Sequence, residues 1–440
     1  MSFVTANPSA LPHPLSVAES AFISITFKAN AATVETPPGI PMKFAGFIRK
    51  DGKIGIRNHL LVISNGSAAG CLTAMIAGHL EHTKYYVPPS EFGRNSQDRK
   101  TIARTLIGLA ANANTGAILI VGMKPDSGYP ELSFDALIKP IMDFGKPVDT
   151  VFIQDHGFHN SIGEGIRKGR SLLGIISRER RRSTDFGSLC IGVKCGYSDP
   201  TSGICGNVVA GNFVDQLIDA GGTVFFSETT EVIGAEHIVA KRFSDEVEQQ
   251  RFLNIVQSAE KRALSTGEDI RSINPVPANI EAGITTLEEK SLGAVAKSGT
   301  KPILANLDYA QIPSGAGLYF VDSWMATVTL FLGFTAAGAV LNVFQVGGGW
   351  LPGNDAMMPG HSIGLISPSY FMTGNPKTYA KSPAEIDFNA GTIINREENI
   401  EQAVSRMVGD ILDIASGALT KVETLRTKDQ LELYFQGPTL

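Results

Sequence analysis

Two short stretches concentrate side chains that can move protons or hold charge. KCGYSDPTSGICGN, Lys194–Asn207, carries two of the chain's four cysteines, a lysine, an aspartate and several hydroxyls. SETTEVIGAEH, Ser227–His237, carries Glu228, Glu231, Glu236 and His237. Carboxylates beside an imidazole suit a general base or a divalent cation. Cys195 can act as a metal ligand or as an acid/base group. Each stretch also has a purely structural reading. KCGYSD fits a strand-to-helix turn capped by Asp199 or Ser202, and a lone cysteine serves as a small buried hydrophobe. The glutamates fit an acid-rich first helical turn, favoured by the macrodipole, with His237 partly buried.

Two further segments offer groups for an anionic substrate. In ITTLEEKSLGAVAKSG, Ile284–Gly299, Thr285 or Thr286 can cap a helix, with Glu288 or Glu289 completing a capping box. The same amides and hydroxyls also form a carboxylate cradle. In RKDGKIGIRNH, Arg49–His59, a turn at Asp51-Gly52 precedes Arg57 and Asn58. Arg57 can fork onto a substrate carboxylate, and a surface hairpin explains the segment equally well.

These groups need elements to position them. LLVIS (Leu60–Ser64), KYYV (Lys84–Val87), AILIVGM (Ala117–Met123) and VDTVFIQ (Val148–Gln154) read as strands. Helical patterns fall between and after them, near Ser67–His79, Asp98–Ala111, Ser133–Phe144 and Ile162–Glu179. Strands alternating with helices predict a parallel, doubly wound sheet, with its ligand crevice at the carboxyl ends of the strands. A second region opens near Ser188. LCIGVK runs directly into KCGYSD, a helix GNVVAGNFVDQLIDAGG follows, and the strand TVFFSE delivers Ser227 and Glu228. The expected architecture is α/β: an N-terminal extension over residues 1–42, a Rossmann-like doubly wound domain over 43–186, and a larger α/β catalytic domain over 187–440.

Composition narrows the function. Charged residues are 18% and the net charge is −5 with no long run of one sign, which disfavours a nucleic-acid partner. RERRRS, after Ser177, is most simply the solvated end of a helix. Four cysteines without CxxC spacing signal neither a disulfide framework nor a structural zinc site, and suit a reducing cytoplasm. The N-terminus lacks a secretory pattern. Met325–Val346 is free of charge, but its threonines, glycines, Asn and Gln fit a buried helix followed by a buried strand better than a membrane span. SNGSAAG does not supply the GxGxxG of a nicotinamide site.

Taken together, GFIRKDGKIGIRN, KCGYSDPTSG, SETTEVIGAEH, ITTLEEKSLGAVAKSGT, LYFVDS and DFNAG resemble the altronate and galactarate dehydratases, from about Lys43 to the C-terminus. The terminal ELYFQGPTL is similar to that family's terminal aromatic segment. The resemblance implies a lyase that removes water from a sugar acid or related hydroxy acid, giving a 2-keto acid through an enolate. It implies a divalent metal, Fe2+ or Mn2+, with Mg2+ or Zn2+ as alternatives. Catalytic candidates are Lys194, Cys195, Asp199, Glu228, Glu231 and His237. Metal candidates are Cys195, Glu228 and Glu236. Substrate-binding candidates are Arg57, Asn58, Ser198, Thr285, Thr286 and Lys290. A cytoplasmic homo-oligomer acting on a small molecule is expected.

The chain departs from that pattern. The family's His and Cys after the second strand are replaced by VPPSEFGRNSQDR, and its Gly-Cys-Glu by GMKPDS. Its threonine-rich glycine segment becomes FQVGGGWLPGN, and residues 1–42 do not resemble its small N-terminal domain. GAGLYFVDSWMATVTLFLGFTAAGAV and MTGNPKT are similar to the large subunit of sulfolactate sulfo-lyases, where the same proton abstraction expels sulfite. That similarity implies a separate small lid subunit. A non-catalytic binder of acid sugars is the reading from another class.

Overall fold

The computed structural model describes residues 42–125, 129–348, 365–425 and 431–436. The expected extension over 1–42, except Met42, lies outside the described residues, as do parts of GMKPDS and FQVGGGWLPGN and the end of ELYFQGPTL. Residues Met42–Leu440 form one unit.

The strands in chain order are β1 (Lys43–Ile48), β2 (Ile54–Gly55), β3 (His59–Ser64), β4 (Thr83–Tyr86), β5 (Thr115–Gly122), β6 (Val148–Phe152), β7 (Arg182–Asp185), β8 (Cys190–Gly196), β9 (Thr223–Phe226), β10 (Ile303–Leu307), β11 (Gly317–Val321), β12 (Leu341–Val346), β13 (Ser369–Thr373) and β14 (Phe388–Asn389). They form three sheets. A four-stranded parallel sheet has the order β4-β3-β5-β6. A seven-stranded parallel sheet has the order β10-β11-β9-β8-β12-β13-β14. A small antiparallel sheet, β2-β1-β7, joins the two ends of the first region. The chain is an α/β protein, as its alternating pattern predicts.

The first sheet is covered on both faces, which is why its strands read as continuous apolar runs. Leu61, Ile63, Ile118 and Ile120 pack against Ile102, Leu106 and Leu109 of the helix Ser96–Ala111. Leu60, Val62, Leu119 and Val121 face Leu72 and Ile76 of the helix Gly70–Gly78, and Leu172 and Ile176 of the helix Ile153–Ile176. That last helix begins earlier than the pattern near Ile162 suggests, because β6 stops at Phe152 and the backbone winds on through a break at Gly157.

The charge-free run Met325–Val346 becomes the helix Thr327–Ala337 followed by β12. Leu330, Phe331 and Phe334 of this helix pack on one face of the large sheet, while Leu332 and Ala336 join the core of the first sheet. A helix wedged between two cores is apolar all round, so its composition reflects burial. Among the described residues no helix is long and apolar enough to cross a membrane. Gly108 lies so close to the Ala336 carbonyl that a methyl there would collide with it. Asn112 donates to Thr335 O and Ala339 O, and Asn114 to Val340 O and Ile366 O, all from buried positions. RERRRS is not simply solvated: Arg181 donates to the carbonyls of Ala45, Ile56 and Ala415.

Candidate active site

In the large sheet the chain leaves β8 on one side through β9 and returns on the other through β12. A crevice forms at the carboxyl ends of strands where connections diverge in this way. β8 places Lys194 and Cys195 at that end, and Ser227 and Glu228 follow β9. Glu228 has φ 73° and ψ 60°, in the left-handed region. This conformation costs a non-glycine residue roughly 1–2 kcal/mol, and such strain concentrates at functional sites. The chain then makes a single 3-10 turn, Thr229–Glu231, braced where the Thr229 amide donates to Ser323 O after β11 (3.0 Å).

From the opposite side comes the helix Leu287–Val295, continued by a 3-10 turn Ala296–Ser298. It approaches closely because Gly203 faces Gly293: a Cβ on Gly203 would stand 3.0 Å from the Gly293 Cα. The helix carries Lys290, and Lys297 follows seven residues later, in the 3-10 turn beyond it.

These elements bring six ionisable side chains together, each 7% exposed or less: Lys194, Cys195, Glu228, Glu231, Lys290 and Lys297. Glu228 accepts from Lys194 Nζ at Oε1 (3.1 Å) and from Lys297 Nζ at Oε2 (2.7 Å). The Cys195 amide also donates to Oε2 (3.3 Å), and the thiol lies 3.9 Å from it. Glu231 Oε1 pairs with Lys290 Nζ (2.8 Å). Lys290 gives its other two protons to Asn274 Oδ1 (2.8 Å) and Asn279 Oδ1 (3.2 Å). Asn279 in turn donates to Ser198 O (2.9 Å), joining this network to the β8 turn. Glu231 Oε2 and Ser198 Oγ are buried with no hydrogen-bond partner among the described residues.

Burial, followed by the charge of Glu228, pushes the Cys195 thiol up to about 11, so it stays protonated near neutrality. Burial also works against the charge on Glu231, but Lys290, Lys194 and Lys297 outweigh it and hold the carboxyl below its usual range. For Lys297, burial is outweighed by Cys195, Glu228 and Glu231, which keep the ammonium above the usual lysine value.

The other candidates are elsewhere occupied. Asp199 Oδ1 accepts from Thr201 Oγ1 (2.6 Å) and the Ser202 amide (3.1 Å); Oδ2 accepts from the Gly348 amide (2.7 Å) and Asn375 Nδ2 (2.6 Å). It straps together the loops after β8, β12 and β13. Arg57 spends its N–H groups on Glu423 and on the carbonyls of Ile56, Ile414 and Ala418, leaving none for a substrate. Asn58 bridges Arg49 and Ile176 O. Thr286 caps its helix by accepting from the Glu289 amide (3.1 Å), and the amide and hydroxyl of Thr285 donate to the Glu289 carboxylate. Here the structural alternative holds. Glu236 turns to the Gly234 amide, and His237 is exposed on the short helix Glu236–Ala240. Glu231, rather than Glu236, joins Cys195 and Glu228.

Lys297, Asn274 and Asn279 were not among the sequence candidates. The signal for Lys297 was its place seven residues after Lys290 in a stretch otherwise made of small and apolar residues, SLGAVAKSG.

Cys195, Glu228 and Glu231 offer one donor atom each within 4.8 Å, close enough to hold a metal ion. As folded, the set does not fit a divalent ion. Both oxygens of Glu228 already face ammonium groups. A dication bound at roughly 2.0–2.2 Å from Oε2 would lie against the Lys297 charge in a buried site where repulsion is weakly screened.

Residues 46–177 match the family described as D-galactarate dehydratase/altronate hydrolase, second domain, and residues 186–438 match D-galactarate/altronate dehydratase, C-terminal. The chain is 32% identical to the (2R)-sulfolactate sulfo-lyase subunit beta of Chromohalobacter salexigens, over 87% of this chain and 95% of that one. It is 26% identical to the altronate dehydratase of Bacillus subtilis, over 90% and 78%. It is 29% identical to the galactarate dehydratase (L-threo-forming) of Escherichia coli, over 71% and 59%. The chain belongs to the D-galactarate/altronate dehydratase family of hydro-lyases.

Proposed function

We propose that this chain eliminates water from a small hydroxylated carboxylic acid to give a 2-keto acid through an enolate. The observation that carries the reading is the buried cluster of three lysines and two glutamates at the carboxyl ends of β8 and β9. With the thiol neutral, three ammonium groups against two carboxylates leave one positive charge in excess, the complement of an added carboxylate.

Glu231 is the proposed base. The lysines keep it ionised, and its Oε2 is without a partner among the described residues, so it can take the proton next to the substrate carboxylate. Removing that proton places a second negative charge on the substrate, which preorganised cations in a water-poor site stabilise strongly. Lys194 and Lys297 are placed for this. Among the described residues Lys297 makes hydrogen bonds to Glu228 and Ala294 O, which leaves one of its three protons for the substrate. The Cys195 thiol, neutral and beside Glu228, is the proposed proton donor to the departing hydroxide. Lys290 binds no substrate in this scheme; it orients Glu231. Ser198 Oγ is the proposed contact for a substrate hydroxyl.

A second reading is favoured by the 32% identity covering 95% of a sulfo-lyase subunit. The same proton abstraction would then expel sulfite, and a separate small subunit would complete the enzyme. Altronate, galactarate and (2R)-sulfolactate, each incubated with purified protein, decide between the readings. A 2-keto acid without sulfite supports dehydration, and equimolar sulfite moves the assignment to the second reading. Neither product, with this chain alone or with a small partner subunit, overturns the lyase proposal.

A further inference from the structure

We propose that Lys297 is this chain's resident cation: its ammonium holds the position at Glu228 that a divalent ion would need, and the carboxylates of the cluster are compensated without one. The inference rests on the elimination reading only for the use to which that charge is put.

Three observations carry it. Lys297 is 1% exposed, yet its amine meets a carboxylate oxygen at 2.7 Å, and its remaining bond is to the carbonyl of Ala294 in its own helical turn. An ammonium so deeply buried persists only beside compensating negative charge. Second, Glu228 Oε2 lies 3.9 Å from the Cys195 thiol and 2.7 Å from Lys297 Nζ, so an ion bridging Cys195 and Glu228 through that oxygen has to share the space around it with the ammonium. Third, Lys194 covers the other oxygen of Glu228, so the carboxylate cannot turn to offer a free oxygen. The donors are of the right type and span for a metal, and a lysine ammonium already sits on the Glu228 oxygen that faces the thiol.

Full-length protein, treated with chelator and then freed of it, is titrated with Co2+. Binding is followed by calorimetry and by the thiolate-to-cobalt charge-transfer absorption that a Cys195 ligand produces. Wild type is expected to show no saturable binding and no band, and to unfold at the same temperature with and without chelator. Lys297→Met is expected to bind one equivalent of Co2+ saturably under conditions where wild type binds none, with a band that disappears when Cys195→Ser is added. Lys297→Gln, which can still donate to Glu228, provides the same comparison if the Met variant does not fold. One equivalent bound by wild type with a charge-transfer band overturns the proposal, because the ammonium then yields to metal. Absence of binding in both Lys297 variants overturns it too, because the lysine would not be holding an ion's place. The keto-acid and sulfite assays on wild type are independent of these results, so the elimination reading can fail without this one.

Discussion

Replacing Lys290 by Met tests the cluster most directly, because the consequence has a sign as well as a size. Lys290 Nζ makes three buried hydrogen bonds, to Glu231, Asn274 and Asn279. Methionine keeps most of the volume and none of the charge. Removing one partner of a buried ion pair costs about 3–5 kcal/mol. The lost donor to Asn274 adds about 1 kcal/mol. Neutralising Glu231 by protonation relieves part of this, so we expect a net loss of about 4 kcal/mol near neutral pH. In wild type the lysines hold Glu231 below its usual value, so its pairing stabilises the fold above the unfolded carboxyl range and is lost as pH falls through the folded value. In the variant the largest remaining influence is burial, which raises the folded value, so the penalty fades as pH falls. Both trends narrow the gap. Urea unfolding followed by circular dichroism at about pH 7.5 and about pH 4.5 should show the difference between wild type and variant shrinking by roughly half. A gap below about 1 kcal/mol at the higher pH, the worth of an exposed pair, would refute the reasoning. So would a gap equal at the two pH values.

Glu231→Gln retains an acceptor for Lys290 but cannot take a proton; product formation per folded molecule should fall by roughly 10²–10⁴, with a lowered melting temperature because Lys290 loses its buried counter-charge, and full activity would reassign the base. Asp199→Ala removes the acceptor shared by the loops after β8, β12 and β13, and should cost about 2–4 kcal/mol, read as a lower urea midpoint. Asp387 accepts from the Lys421 and Phe371 amides, yet burial pushes its carboxyl up to about 6. Its folded value exceeds the unfolded one, so the contribution of this one group to stability rises by about 3 kcal/mol as pH drops from above 6 toward 4. Asp387→Asn should abolish that gain in parallel urea titrations.

Much of the frame was legible in the sequence because it rests on local pattern. Apolar runs of strand length and helical spacing located most elements of both large sheets, and the rule that chemistry collects at strand ends singled out Lys194, Cys195 and Glu228. What escaped depends on long-range geometry. Arg57 reads as a free fork because its partner, Glu423, is 366 residues away. Glu231 and Glu236 look equivalent in SETTEVIGAEH. Only the left-handed Glu228 followed by one 3-10 turn sends Glu231 inward, while Glu236 opens a separate helix. Thr285 and Thr286 matched a cap and a cradle equally well, and their partner Glu289 decided for the cap. Lys297 is an unremarked lysine until the inward face of its helical segment is known.

The pair Asn112 and Asn114, with the tight seat of Gly108 on Ala336, bears on how this molecule moves. Hinges run along seams with few bonds between the parts they join. This seam is stitched by four amide donations and a shared core helix, so opening it would strand buried polar groups. The two sheets therefore travel as one frame rather than as a pair of jaws. Whatever admits substrate and excludes solvent has to act at loop tips or through another piece of protein, and the buried charges proposed for catalysis stand assembled before the substrate arrives.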